Sequence, residues 1–212
     1  KAVQYGTGFK AHSVYMSQFQ LLPYNRIQDY FADQLHIPIS EGSIFNFNKE
    51  AFQLLADFEI RVQNELATAN LAHADETGIN IGGKLHWLHG LSNDQWTCYH
   101  PHEKRGTDAM NDMGVLPRFK GILCHDHWKP YFKYDCTHTL CNAHHLRELQ
   151  RAWEQDGQNW AKQMKALLET TNCKVIDAGG ALEAKESQKY RKKYQDLIKQ
   201  AEIECPEPVR PQ

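Results

Sequence analysis

The chain has no long apolar run, no strong excess of charge of either sign, no internal repeat and no paired arrangement of cysteines. Each absence excludes something. The apolar stretches fall far short of the roughly 18 residues a membrane span needs, and no secretion signal opens the sequence. No membrane partner is therefore expected. A formal net charge of −2 gives no global field to attract polyanions, so any such contact must come from local basic patches. The six cysteines lie irregularly among histidines and acids, as reduced cytosolic thiols do and disulfide frameworks do not. The chain begins at Lys1 without a methionine and stops at Pro211-Gln212 just after a helical pattern, and is expected to be a piece of something longer.

What is present is the composition of an ordinary globular protein, 41% apolar and 24% charged in 212 residues. That length suits one main domain with a small appendage. Residues 1–12 carry Gly6 and Gly8 and read as an irregular lead-in, followed by a short helix from His12 to Phe19. Pro23 stands where an N1 proline would, ahead of Ile27, Tyr30, Phe31 and Leu35 at helical spacing. After the breakers around Pro38, Ser40 and Ser43 are candidate caps for a helix from about Glu41 to Asn70. Helix, turn, helix is a helix-turn-helix outline with Ser43–Lys49 in the recognition position, although that segment carries few basic residues.

From Leu71 the texture becomes β-prone. Leu71–Ile81, Lys84–Ser92 and Gln95–His100 are separated by Gly82-Gly83 and by Ser92-Asn93-Asp94, the signature of an antiparallel meander. Gly106–Met113 reads as a helix ended by Gly114, Phe119–Cys124 as a strand buried on both faces, Thr137–Leu140 as a short strand and Asn142–Glu154 as a helix. This is the element order of an RNase H-like α/β domain with a mixed sheet flanked by helices. Residues 158–202 are helical and charged, broken at Asp177–Gly180. Tyr190, Tyr194, Leu197 and Ile198 form an apolar stripe, and Lys185, Lys189, Arg191, Lys192 and Lys193 a basic surface that is first of all a solvated helix face. The tail, with Pro206, Pro208 and Pro211, reads as a linker. The expected organisation is a helical segment at 1–70, an incomplete catalytic core at 71–156 and a truncated helical insertion at 157–212.

Two short stretches carry the candidate chemistry: His73–Gly78 (HADETG) and Leu123–Lys129 (LCHDHWK). Each presents an acid in or at the end of a strand, Asp75 and Asp126. Phosphodiester cleavage needs a positioned water or hydroxyl and neutralised charge on the transition-state oxygens. Two Mg²⁺ ions about 4 Å apart supply both, and hard Mg²⁺ prefers carboxylates on neighbouring strands. A turn or cap is the plainer account of a single Asp beside a strand.

The stretches DETGINIGGKLHWLH, HEKRGTDAMNDMGVLPRFKG, HDHWKPYFKY and LCNAHHLRELQ resemble the central region of insertion-sequence-66 family transposases. The upstream run QFQLLPYNRIQDYFADQLHIPISEGSIFNFNKEAF resembles the region before that family's catalytic core, so the likeness spans roughly residues 3–170. It implies a DDE transposase: DNA strand cleavage and strand transfer with two Mg²⁺ or Mn²⁺ ions. The implied setting is a bacterial cytoplasm, on the nucleoid. The implied partners are element ends and target DNA, a homo-oligomer on DNA, and accessory proteins of the same element. By matching motif, Asp75 is the first acid and Asp126 the second. For the third acid two readings stand. Glu148 in HLREL follows the fifth strand and would complete a compact RNase H-type nuclease. Alternatively Cys141 and His144 match a Cys-x-x-His motif of related transposases, where a helical insertion separates it from the helix carrying the Glu. On that reading the chain holds two of three acids and is expected to be inactive or nearly so alone. A non-enzymatic reading is a transposase remnant retained for DNA binding or protein interaction.

Glu76, next to Asp75 on a strand, points to the opposite face and reads as structural. His125 and His127 flank Asp126 and are candidates for contacting DNA phosphate, as are Lys104 and Arg105, for which solvated caps are the simpler account. Cys136, His138, Cys141, His144 and His145 lack the paired spacing of a zinc site. Trp87, Trp128 and Trp153 read as packing residues.

Overall fold

A computed structural model describes residues 5–206; Pro208 and Pro211 of the tail lie outside the described residues. The chain divides into two compact units, residues 1–123 with 130–137, and residues 124–129 with 138–212. The five strands form one sheet in the order β3-β2-β1-β4-β5, an RNase H-like α/β arrangement.

The first unit opens with α1 (Thr7–Gln18), α2 (Tyr24–Leu35), α3 (Glu41–Leu54) and α4 (Ala56–Ala67). Met16, Ile27, Phe31, Ile39, Ile44 and Phe47 form the core of the first three helices, each large side chain contributing roughly 1.5–3 kcal/mol by leaving water. The first helix begins at Thr7 rather than His12, because Gly6 is an extended N-cap whose carbonyl accepts Lys10 N–H. Pro23 caps α2 from outside instead of entering its first turn, and its fixed φ suits either place. Ser40 caps α3 through a 3.2 Å bond from Ser43 N–H to Ser40 Oγ. The single helix expected over 41–70 is two, parted at Leu55, and nothing in the local sequence explains the break.

Three antiparallel strands follow: β1 (Leu71–Ile81), β2 (Lys84–Ser92) and β3 (Thr97–His102). Gly82 and Gly83 both have positive φ, as the tight turn between twisted strands requires. At the next tip, Asn93 Oδ1 accepts from Gln95 N–H (2.9 Å) and Trp96 N–H (2.7 Å). This side-chain turn holds Gln95 and Trp96 out of the ladder, so the third strand starts two residues later than its composition suggests. One face of the meander is buried, with Ala74, Leu91 and Cys98 side by side; α5 (Thr107–Asp112) buries Ala109 and Met110, and Met113, Val115 and Phe119 after it are buried too.

The strand expected at Phe119–Cys124 is β4 (Ile122–His125), half-buried rather than buried on both faces: Leu123 and His125 are inside, Ile122 outside. Phe119 instead closes a 3₁₀ turn over Leu116–Arg118. Gly121 then passes so close to the chain that a Cβ there would lie 2.7 Å from Asn70 O. Beyond β5 (Thr137–Leu140), the second unit carries α6 (Asn142–Glu154), α7 (Asn159–Asp177) and α8 (Ala184–Glu204). The carboxylate of Glu204 in α8 accepts the N–H groups of Asn159 (2.5 Å) and Trp160 (3.2 Å), capping α7 from the end of its neighbour.

Candidate active site

Strand alternation sorts β1 into two chemistries. Ala72, Ala74 and Glu76 face the core, while His73, Asp75 and Thr77 face outward and are exposed. Asp75 Oδ1 accepts the Glu76 N–H at 2.9 Å. The register sets Asp75 opposite Gly90 in β2 and Gly90 opposite Tyr99 in β3. A Cβ on Gly90 would sit 3.5 Å from Tyr99 Cε1 and 3.7 Å from the Asp75 backbone oxygen, so the Tyr99 ring lies over the glycine in the row that carries Asp75. Tyr99 is 64% exposed although it is a large aromatic. Sequence reasoning missed this pair; counting back from the Gly82-Gly83 turn would have found it, because a two-residue turn fixes every pairing behind it.

On the inner face Glu76 is clamped. Its side chain is 1% exposed. Its Oε1 accepts from Arg105 Nε (2.9 Å) and Nη2 (2.7 Å), and its Oε2 from the Tyr131 hydroxyl (2.5 Å). The Arg105 guanidinium also lies 4.8 Å from the centre of the Trp87 ring. Arg105 therefore has its fork on a buried carboxylate, and Lys104 pairs with Asp108 at 2.9 Å one turn away. His89 occupies the next position along this row, 3% exposed, with its Nε2 lacking a hydrogen-bond partner among the described residues. Burial pushes its pKa down, against the pull of the Lys104 backbone and the Glu76 charge.

The second unit holds Asp126 just past the end of β4, partly buried, its Oδ1 accepting Trp128 N–H at 2.9 Å. Histidines flank it. His125 is fully buried, which drives its pKa down. Its Nδ1 meets the Asp126 carbonyl, which only accepts, so that nitrogen carries the proton. Nε2 of the neutral ring then accepts from His138 Nδ1, 3.0 Å away. His127 Nε2 lies 2.7 Å from His145 Nε2 in α6. Burial and the neighbouring His127 lower the His145 pKa, while Glu148 opposes them. Glu148 itself is exposed on α6.

Cys141 is the N-cap residue of α6. Burial disfavours its thiolate, but the His144 side chain and the backbone N–H groups of His144 and Ala143 outweigh burial and hold the thiol below its ordinary pKa. Cys124 is raised by burial and by the adjacent Cys141. Among the described residues, no group of three or more His, Cys, Asp or Glu side chains is arranged to hold a metal ion. The donor chemistry of Asp75 and Asp126 nonetheless suits a hard divalent cation: both are carboxylates with no ion pair among the described residues, each with one oxygen in a backbone hydrogen bond.

The family described as Transposase IS66 family matches residues 2–208, and the chain belongs to it; it is a DDE-type transposase domain, of a chemistry that uses divalent metals. Comparison with curated proteins finds no match. Among solved structures, the chain is similar to one in a cryo-EM structure of the simian T-cell lymphotropic virus intasome in complex with PP2A regulatory subunit B56 gamma. The two are 11% identical, with a TM-score of 0.29, covering 93% of this chain and 70% of that one.

Proposed function

We propose that this member of the IS66 transposase family cleaves DNA strands and joins them to target DNA using Asp75 and Asp126 as its first two metal-binding acids. The observation that carries the reading is the placement of Asp75: an exposed carboxylate in the central strand, opposite a glycine that sets no side chain against it from β2. Bound Mg²⁺ or Mn²⁺ would supply charge neutralisation at the transition-state oxygens and acidify the attacking water. The chain's own work is positioning. Glu76, Arg105 and Tyr131 fix β1 from behind, so that Asp75 is presented by a rigid strand. The Trp128 N–H and the His125–His138 pair hold the Asp126 loop.

Cys141 and His144 open the helix that follows β5, and the family pattern then assigns the third acid to a helix beyond an insertion formed here by α7 and α8. The domain reading is the corresponding one: a helical segment at 1–70, a core at 71–156 and an insertion from 157. Glu148 supports the compact-nuclease alternative, because it is an exposed carboxylate in the same unit as Asp126. DNA ends and target are the substrates, engaged by a homo-oligomer with accessory proteins of the element, on a bacterial nucleoid. Lys104, His127 and the basic face of α8 are the candidates for backbone contact. No helix among the described residues is long and apolar enough to cross a membrane.

The test is Mn²⁺ titration calorimetry on the chain and its Asp75→Asn, Asp126→Asn and Glu148→Gln variants. Binding lost in both Asp variants and kept in Glu148→Gln is the expected result. Binding indifferent to both Asp changes refutes the site, and binding lost in Glu148→Gln as well selects the compact nuclease.

A further inference from the structure

A polar cleft of about 730 Å³ lies at the start of β1, within the first unit. Its volume is that of a small-molecule site. Glu65 of α4, His73 of β1 and the β2–β3 tip residues Asn93, Asp94, Gln95 and Trp96 line it. His73 is two residues from Asp75 on the same outward face, about 7 Å along the strand. The cleft and the candidate catalytic acid therefore share one surface of one strand. Trp96 is half-buried and braced from behind, with its ring centre 6.0 Å from that of Phe58 and 5.6 Å from the Arg61 guanidinium. A braced indole at the edge of a polar cleft is a stacking surface. Tyr99, exposed on the same face over Gly90, is a second aromatic surface, in the cross-strand row of Asp75.

The charge of the cleft decides what it takes. Glu65 is offset by Arg61, whose Nε lies 3.8 Å from its Oε1, so Asp94 is the charge that sets the lining, and its carboxylate disfavours a phosphate beside it. A neutral ring bearing an amino group satisfies it: π-face on Trp96, exocyclic N–H on the Asp94 carboxylate. We propose that this cleft receives an unpaired, amino-bearing nucleobase of the strand being processed, about one nucleotide from the phosphate at Asp75. The inference rests on the proposed transposase chemistry, because it takes the strand to lie along the outward face of β1. Melting the DNA end is what such a site would reward, since a paired base cannot reach it.

The probes are 12-nucleotide single strands of dC, of dT and of abasic sites, with binding read by fluorescence anisotropy. The chain is expected to bind the dC strand about tenfold more tightly than the abasic one, the range of one or two base–aromatic stacks, and more tightly than dT. Trp96→Leu should remove the dC advantage over the abasic strand while leaving Mn²⁺ binding at Asp75 and Asp126 unchanged, which also shows that the variant folds. Asp94→Asn, at an exposed tip position where folding is not at stake, should narrow the gap between dC and dT. If both ratios persist in the variants with Mn²⁺ binding intact, the cleft proposal falls and the transposase reading stands. If the chain prefers none of the strands, the cleft proposal falls as well. Mn²⁺ binding indifferent to both Asp75→Asn and Asp126→Asn would instead overturn the proposed function, whatever the strands do.

Discussion

Replacing Arg105 by methionine should destabilise the first unit by about 2–3 kcal/mol at neutral pH. The figure comes from an asymmetry. Glu76 is almost wholly buried, at 1% exposure, while Arg105 is 42% exposed. Removing one member of a fully buried pair costs roughly 3–5 kcal/mol, because the other charge is left without compensation. Solvent screening at the arginine end lowers that range. Methionine keeps apolar contact with Trp87 but cannot donate to Glu76 Oε1, leaving the Tyr131 hydroxyl as the donor named there. For a chain of this size the change corresponds to a fall of about 5–10 °C in Tm. Urea denaturation measures it, with hydrogen exchange at the β1 amides identifying the transition that opens this strand. The decisive variant is the double one, Glu76→Met with Arg105→Met. Once the carboxylate is gone nothing buried is left uncompensated, so the double loss should be smaller than the sum of the single losses by about 2 kcal/mol. Single losses that simply add, within about 0.5 kcal/mol, would refute the clamp.

Three further outcomes are expected. Gly121→Ala should cost at least about 1–3 kcal/mol, since its Cβ meets backbone oxygen that cannot yield, and unchanged urea stability would contradict the close approach. His89 is held neutral by burial, so its pKa lies below the usual 6.5; the unfolded chain binds that proton first, and stability present above pH 6.5 is lost as pH falls toward the folded value. His89→Gln should flatten the slope between pH 7 and 5.5, and an unaltered slope would remove His89 as a cause. Gly90→Val should leave the fold intact, because the first added carbon makes only ordinary contacts, yet weaken Mn²⁺ binding about tenfold by setting an apolar side chain opposite Asp75. Equal affinity in calorimetry would show that the position opposite Asp75 plays no part in binding.

Regular elements were largely readable, and where they were not, the reason is local. Leu71–Ile81, Lys84–Ser92, Thr137–Leu140 and Asn142–Glu154 stand where alternation, the Gly-Gly turn and helical spacing put them. The third strand was offset because the Asn93 side chain captures two backbone N–H groups, and propensity scales carry no hydrogen bonds. The break at Leu55 left no mark at all, since no breaker residue stands there. Phe119–Cys124 looked like a doubly buried strand because apolarity says that a residue is covered, not by what.

The sequence by itself determined the alternation of β1, and with it the separation of Asp75 from Glu76 onto opposite faces, because a pleated strand allows nothing else. It also determined the family, through motifs that are contiguous in the chain. Tertiary structure decided the rest. Gly90 and Tyr99 border Asp75 only because the Gly82-Gly83 turn and the Asn93 turn set two successive registers. Glu76 became a buried anchor because Arg105 and Tyr131, distant in sequence, converge on its carboxylate. Burial and charge pairing depend on the distance between atoms in space, and a linear order of residues leaves that distance open until the chain folds.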